Sequence, residues 1–300
     1  MDRINSRHHS ALAEQNKQPA GSALAMGRSQ RWSLLLTRGI FALLASTFLL
    51  FIAIPLVSLL FHEPPAQVWA ALLQPDIFQA LQLSLVTTTL STVLAALFGL
   101  PVAYVLARYA FPGHAILEIL VTLPTVLPPV VAGVALLLAF GRVGLIGHYL
   151  APSGITIPFT TVAVVMAQTF VAAPFFINSA RAGLEQLDKR YEQAAYTLHA
   201  SPFYTFRRVV LPLIRPALFS GLGLAWTRSL GEFGATITFA GNFPGVTQTM
   251  PIAVYMASES DLDTAIALSI LLLAVSFGLL LALRLIRPTL DGERRATTVP

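Results

Sequence analysis

The chain has 300 residues, of which 55% are hydrophobic and 11% charged, with a formal net charge of +5 and no cysteine. Soluble domains carry roughly 25% charged residues, and several apolar runs here reach the ~20 residues that cross a bilayer, so the composition excludes an ordinary soluble domain. Disulfides, thiolate metal sites and cysteine nucleophiles are excluded as well. The basic balance is no nucleic-acid footprint, because Arg and Lys gather at the ends of apolar runs, where they set topology.

Residues 1 to 37 are polar, carry Arg3, Arg7, Lys17, Arg28 and Arg31, and read as a disordered cytoplasmic tail. The apolar run from Gly39 to Phe61 competes with a signal-peptide reading. It exceeds the ~7–15 residues of a signal h-region and lacks a clean cleavage site, so it reads as a first transmembrane helix over 38–62. His62 to Asp76 forms a loop without Lys or Arg. A second span covers about Phe78 to Leu106, and Pro112-Gly113 marks a tight turn. The third span, about Ala115 to Phe140, contains Pro124, Pro128 and Pro129 and is expected to kink. A Gly- and Pro-rich loop with Arg142 precedes the fourth span, about Phe159 to Ala180. The fifth span covers about Ala217 to Ala240, and a loop with a re-entrant or amphipathic part runs to Asp261. The sixth, Leu262 to Ile286, leads to a tail over 287–300. With the N-terminus inside, every Lys and Arg except Arg142 and Arg228 falls on the cytoplasmic side or its tails. Both termini are then cytoplasmic.

Between the fourth and fifth spans lies the longest polar interruption after residue 38, within 181–216. Its core, Asp188 to Pro216, reads DKRYEQAAYTLHASPFYTFRRVVLPLIRP. Asp188 is placed to cap a helix with Tyr191, Ala194, Ala195 and Leu198 on one side. Ser201-Pro202 reads as an N-cap followed by proline at the first helical position. A helix with small alanines on its outer face lets another protein approach closely; an amphipathic loop lying on lipid headgroups is the alternative.

This stretch resembles the coupling loop of type I ABC-importer permeases, whose pattern runs Glu-Ala-Ala, three residues, Gly, nine residues, Ile-x-Leu-Pro. Gln193-Ala194-Ala195 stands at its start and Val209-Val210-Leu211-Pro212 at its end, in register. Gln193 replaces the family's Glu, with Glu192 adjacent, and His199 replaces its Gly. The resemblance implies that Tyr191, Glu192, Gln193, Ala194, Ala195, Leu198, His199, Pro202, Leu211 and Pro212 form the surface that meets a separate ATPase. No chemistry here replaces that partner. Lys17 and Lys189 are the lysines of the chain, and neither lies in a G-x-x-x-x-G-K-[ST] phosphate loop. Its histidines lie in tails and loops and suggest no metal site, and no cofactor is expected.

Two stretches point to a translocation path. The third-span segment TLPTVLPPVVAG places Thr122 and Thr125 beside Pro128 and Pro129. Broken backbone at membrane depth is tolerated where protein or a water-lined cavity re-satisfies it, so this break lines a path or serves packing alone. Arg228 and Glu232, four residues apart in TRSLGEFGA, form the charged pair inside the fifth span, as a structural bridge or as a wall of the path. Ser229, Thr236 and Thr238 are further path candidates.

The run GEFGAT-x-x-FAGN-x-PG-x-T-x-T-x-P from Gly231 is similar to permeases for tetrahedral oxyanions, closest to the molybdate/tungstate group and next to the sulfate/thiosulfate group. The resemblance covers about residues 79 to 285. It implies an all-α membrane protein of six transmembrane helices with a type I ABC importer (MetI-like) permease core. It also implies a second copy of the permease, two ATPase subunits and an extracytoplasmic oxyanion-binding protein, in a cytoplasmic membrane. A passive channel would not need the coupling loop. An intramembrane enzyme would need a nucleophile or metal site that Arg228 and Glu232 do not supply.

Overall fold

The computed structural model describes the backbone over residues 28–296; side chains are described over 37–282 and at 285, with Leu72 excepted. Most of the expected tails, residues 1–27 and the end of 287–300, lies outside the described residues. Two units separate between Ser58 and Leu59. The described residues of the first, 28–58, belong to α1 (Arg28–His62), which begins before the expected span and is apolar and exposed over 37–58.

Among its described residues, the regular elements of the second unit are all helices, joined by loops. α2 (Pro65–Leu72) and α3 (Pro75–Arg108) each start on a proline at the first helical position, where the missing N–H costs nothing. α4 (His114–Val126) follows the left-handed Gly113 of the tight turn (φ 94°). α5 (Pro129–Phe140) and the short α6 (Gly147–Leu150) lead to α7 (Thr161–Gln186), capped by the Thr160 hydroxyl, which accepts from Ala163 N at 3.3 Å. α8 (Arg190–Thr197), the one-turn α9 (Pro202–Thr205) and a π-turn over Phe206–Val210 lead into α10 (Leu211–Leu230). α11 (Gly234–Ala240), α12 (Met250–Ser260) and α13 (Leu262–Ala296) complete the chain, so the sixth helix continues well into the expected tail.

Among the described residues, five helices are long and apolar enough to cross a membrane, and the bent pair α4–α5 makes a sixth if it is one span. The third span departs from expectation. It is broken, with its two halves bent by 118°, rather than kinked. The physical reason is the Pro-Pro pair. Each proline forces the residue before it out of helical space, and Leu127 (ψ 133°) and Pro128 (ψ 134°) are both extended. Two consecutive extended residues end one helix and start another. The fifth span also begins and ends earlier than expected. It stops at Leu230, and residues 234–240 form a separate helix after the Gly231-Glu232-Phe233 break.

The core is the contact of α3, α7 and α10. Ala103 and Leu106 meet Ala172, Phe176, Ala180 and Leu184 of α7, together with Val210, Ile214 and Ala225. Apolar side chains gain little by leaving lipid tails for one another, so close packing of small residues and hydrogen bonds must hold such helices together. α3 buries a stripe of this kind: Ser84, Thr87, Thr88, Ser91, Thr92, Ala95, Gly99 and Ala103, at helical spacing. Ser91 Oγ lies 3.1 Å from both the Val165 carbonyl and Gln168 Oε1, and Ser84 Oγ accepts from Met250 N at 2.7 Å. A second cluster joins α5, the start of α7 and α11, through Ala132, Leu136, Val164, Ala167, Ala235 and Phe239.

Candidate functional site

The polar loop folds much as its pattern predicts. Asp188 Oδ1 accepts from Arg190 N at 2.9 Å at the start of α8, and the Ser201 hydroxyl accepts from Tyr204 N at 3.3 Å at the start of α9. α8 ends in a left-handed residue, His199, with φ 59°. Its N–H reaches the Tyr196 carbonyl at 3.0 Å, and Ala200 N reaches Ala195 O at 3.1 Å. These are the two bonds of a Schellman end, in the geometry that glycine usually supplies. Pro212 does not limit the second helix. Leu211 N reaches back to Phe206 O, five residues earlier, and this wider turn absorbs the missing proline N–H.

The orientation of α8 is the informative feature. Tyr191, Gln193, Ala194 and Leu198 are exposed and Ala195 is half-buried, whereas the charged Glu192 is buried. A helix of a free-standing protein would point the other way, with apolar residues inward. Glu192 Oε1 pairs with Arg108 Nη2, at the end of α3, at 2.5 Å. Sequence reasoning missed this contact, since the two residues are far apart in the chain. The available signal was weak: a cation at one span end and a carboxylate in the loop on the same side. Beside it, Phe203 and Tyr204 are exposed and Pro202 with them, while Leu211 is half-buried at the start of α10.

A second ion-pair cluster was also missed. Arg181 of α7 bridges Glu118 of α4 at 2.8 Å and Glu185 at 2.7 Å. Glu118 falls inside the expected third span, so Arg228–Glu232 does not stand alone there. An acidic residue one turn inside an apolar segment was the signal that a cation had to face it.

The two broken spans meet at their breaks. A Cβ added to Gly234 would lie 2.8 Å from Pro129 Cβ, and one added to Gly133 would lie 2.7 Å from Thr238 Cβ and 2.8 Å from the Ala235 carbonyl. Glycine at these two positions is what lets α5 and α11 touch backbone to backbone. Pro129 thus sits against the second break, with Pro128 one residue before it. Arg228 lies in the last turn of α10, and its Nη2 pairs with Glu232 Oε2 at 2.7 Å; Glu232 Oε1 accepts from Ala235 N at 2.9 Å. The pair is therefore not a rung on one continuous helix but a clamp across the break. A cation closes the negative end of α10 and a carboxylate sits at the positive end of α11. The burial is unequal, since the Glu232 side chain is 1% exposed and that of Arg228 29%.

The hydroxyl candidates divide into two groups. Thr122 donates to Glu118 O at 2.9 Å, Thr125 to Thr122 O at 2.7 Å and Thr238 to Gly234 O at 2.8 Å, each within its own helix. Ser229 and Thr236 are fully buried, and their hydroxyls have no hydrogen-bond partner among the described residues. Within those residues no group of His, Asp and Glu side chains could hold a metal ion.

The chain matches, over residues 98–292, the family described as the binding-protein-dependent transport system inner membrane component. It is 48% identical over 228 residues to the molybdenum transport system permease protein ModB of Mycobacterium tuberculosis, covering 76% of this chain and 86% of that one. It is 36% identical over 251 residues to the sulfate transport system permease protein CysT of Escherichia coli, covering 81% and 91%. Its fold is similar to that of a bacterial alginate ABC transporter solved in complex with an alginate-bound periplasmic protein, with a TM-score of 0.67 at 15% identity, covering 88% of this chain and 96% of that one. A family match across more than half of the chain, a relative at 48% identity and the same helical architecture agree. This chain belongs to the binding-protein-dependent transport system inner membrane components, as a multi-pass transport subunit of an ABC importer and not an enzyme.

Proposed function

We propose that this chain is the permease through which an ATP-driven importer moves molybdate or tungstate. The observation that carries the substrate is the 48% identity to a molybdenum permease across 76% of the chain. The 36% identity to a sulfate permease makes sulfate or thiosulfate the second reading. Two copies of the permease would pair, two ATPase subunits would dock beneath them, and an extracytoplasmic oxyanion-binding protein would deliver the anion. The working domain is residues 79–285, with the first helix appended and loop 181–216 as the ATPase-facing surface. The inverted amphipathicity of α8 supports that role for Tyr191, Gln193, Ala194, Ala195 and Leu198. ATP-driven closure would draw the two loops together and turn the paired permeases outward; release would turn them back.

The crossing of the two breaks is the proposed wall of the path. Among the path candidates, Thr122, Thr125 and Thr238 donate their hydroxyls to carbonyls of their own helices, which leaves Ser229 and Thr236 as the hydroxyls with a proton uncommitted. Arg228 is partly exposed but neutralised by Glu232. Such a wall passes a dianion without retaining it, which suits alternating access. The test is uptake of labelled molybdate into vesicles holding the permease, its ATPase and its binding protein. Excess tungstate should abolish uptake and equal sulfate should leave it unchanged. Suppression by sulfate equal to that by tungstate would replace the substrate assignment.

The basic residues of the turns and tails support a topology with both termini, the Pro112 turn and the α8 loop in the cytoplasm. Val143 is 97% exposed and should face the outside. In right-side-out vesicles a membrane-impermeant thiol reagent should label Val143→Cys and spare Pro112→Cys, with no background from native cysteine. The reverse pattern would invert the topology.

A further inference from the structure

α8 has eight residues, and Glu192 is its buried side chain. An isolated helix of that length is marginal in water, and this one has no apolar face turned to the body of the protein. Its inward contact with the membrane bundle is made by Glu192. The partner is Arg108, the last residue of α3, whose side chain is 7% exposed against 11% for Glu192. The same Nη2 also reaches the Leu187 carbonyl, which closes α7, at 3.5 Å. One guanidinium therefore touches the ends of α3 and α7 and the single inward side chain of α8. One turn back on α3, Tyr104 meets Phe206 of the π-turn edge to face at 5.2 Å.

α3 is well placed to use such a joint. Its 34 residues extend about 51 Å along the axis at ~1.5 Å per residue. It packs along α7 and α10, and near its far end Ser84 accepts the Met250 amide that opens α12. A shift imposed on α8 would enter α3 at Arg108 and pass Pro101 on its way along that helix toward the opposite end of the bundle.

We propose that Arg108 is the positioning residue that ties the ATPase-facing helix to the membrane bundle, and that the buried Arg108–Glu192 pair transmits ATPase closure into α3. This rests on the reading of α8 as the docking surface. Burial favours a mechanical role over a surface ornament. A buried pair is no reliable gain in stability over an apolar contact, but it is directional and cannot be broken by half.

The test uses the full transporter with molybdate-loaded binding protein in proteoliposomes, for Arg108→Gln, Glu192→Gln and the exchanged pair Arg108→Glu with Glu192→Arg. Three quantities are read: ATPase subunit co-purified per permease, stimulation of ATP hydrolysis by loaded binding protein, and molybdate moved per ATP. Each single variant should retain its ATPase subunit within about twofold, yet lose stimulation and molybdate per ATP by about tenfold, a typical coupling between sites. The exchanged pair should recover at least part of both. Normal stimulation in the single variants would overturn the proposal, as would failure of the exchanged pair to recover anything. Loss of the ATPase subunit, or of the folded permease, in the single variants would overturn it too, because the pair would then serve assembly or folding rather than transmission. Failure of the docking reading looks different: the wild-type permease itself would carry no ATPase.

Discussion

Arg228→Gln should destabilise the purified permease far more than Glu232→Gln, although both break the same ion pair. The asymmetry follows from burial. Glu232 is 1% exposed, so removing its cation strands a carboxylate in a dry site, at a cost of ~3–5 kcal/mol. Arg228 is 29% exposed and turns part of its guanidinium to solvent or headgroups when its partner goes. Glutamine at 232 also keeps an oxygen for the Ala235 amide, now bonded at 2.9 Å. That variant should lose about 1.5–3 kcal/mol, the scale of one hydrogen bond to a charged group. The double variant should be less damaged than the sum of the singles by at least ~1 kcal/mol, since the stranded charge is absent. Thermal unfolding in detergent and copy number in the membrane read all three. Equal losses in the singles, or strict additivity, would mean that the clamp across the break is not what holds α11 in place.

Ala194→Glu should strip the ATPase from the complex while leaving the permease folded. Ala194 is exposed on α8, so the chain's own stability should move by no more than about 0.5 kcal/mol. In a close contact with another protein, the added carboxylate would be desolvated without a partner, at ~2–5 kcal/mol. Every ~1.4 kcal/mol is tenfold in affinity, so bound ATPase should fall at least tenfold, and uptake with it. Ala195→Glu should do the same, with some added cost because Ala195 is half-buried already. A full complement of ATPase on either variant would remove this face from the docking surface.

The sequence was most legible where local chemistry decides. Span existence followed from apolar length, and the two helix starts at Asp188 and Ser201-Pro202 followed from capping alone. The left-handed His199 stands at a motif position where glycine is the usual residue, although the histidine itself gave no sign of that backbone. Legibility failed at the two breaks, for different reasons. At Leu127-Pro128-Pro129 a single proline would kink a span, whereas the pair holds residues 127 and 128 both extended and breaks it. At Gly231 to Gly234 nothing in hydropathy marks a break, because the helix ends through a carboxylate that caps its successor. The site's contacts between distant segments were out of reach. Arg108 finding Glu192, and Gly133 meeting Thr238, depend on how whole helices cross.

The broken third span has a consequence for how the protein is made. α5 has 12 residues and spans about 18 Å, well short of the ~30 Å hydrocarbon core. Residues 114–140 are apolar enough to cross a bilayer only as one length, long enough together and too short apart, so they would enter it as a unit. The surface that α5 packs against, from Gly234 to Phe239, is synthesised only after α7, the docking loop and α10. Insertion and final shape are therefore separate events for this segment. The Pro-Pro bend is local and forms with the segment, but until α11 arrives α5 lacks the close backbone contact at Gly133 and Gly234 that seats it in the finished fold.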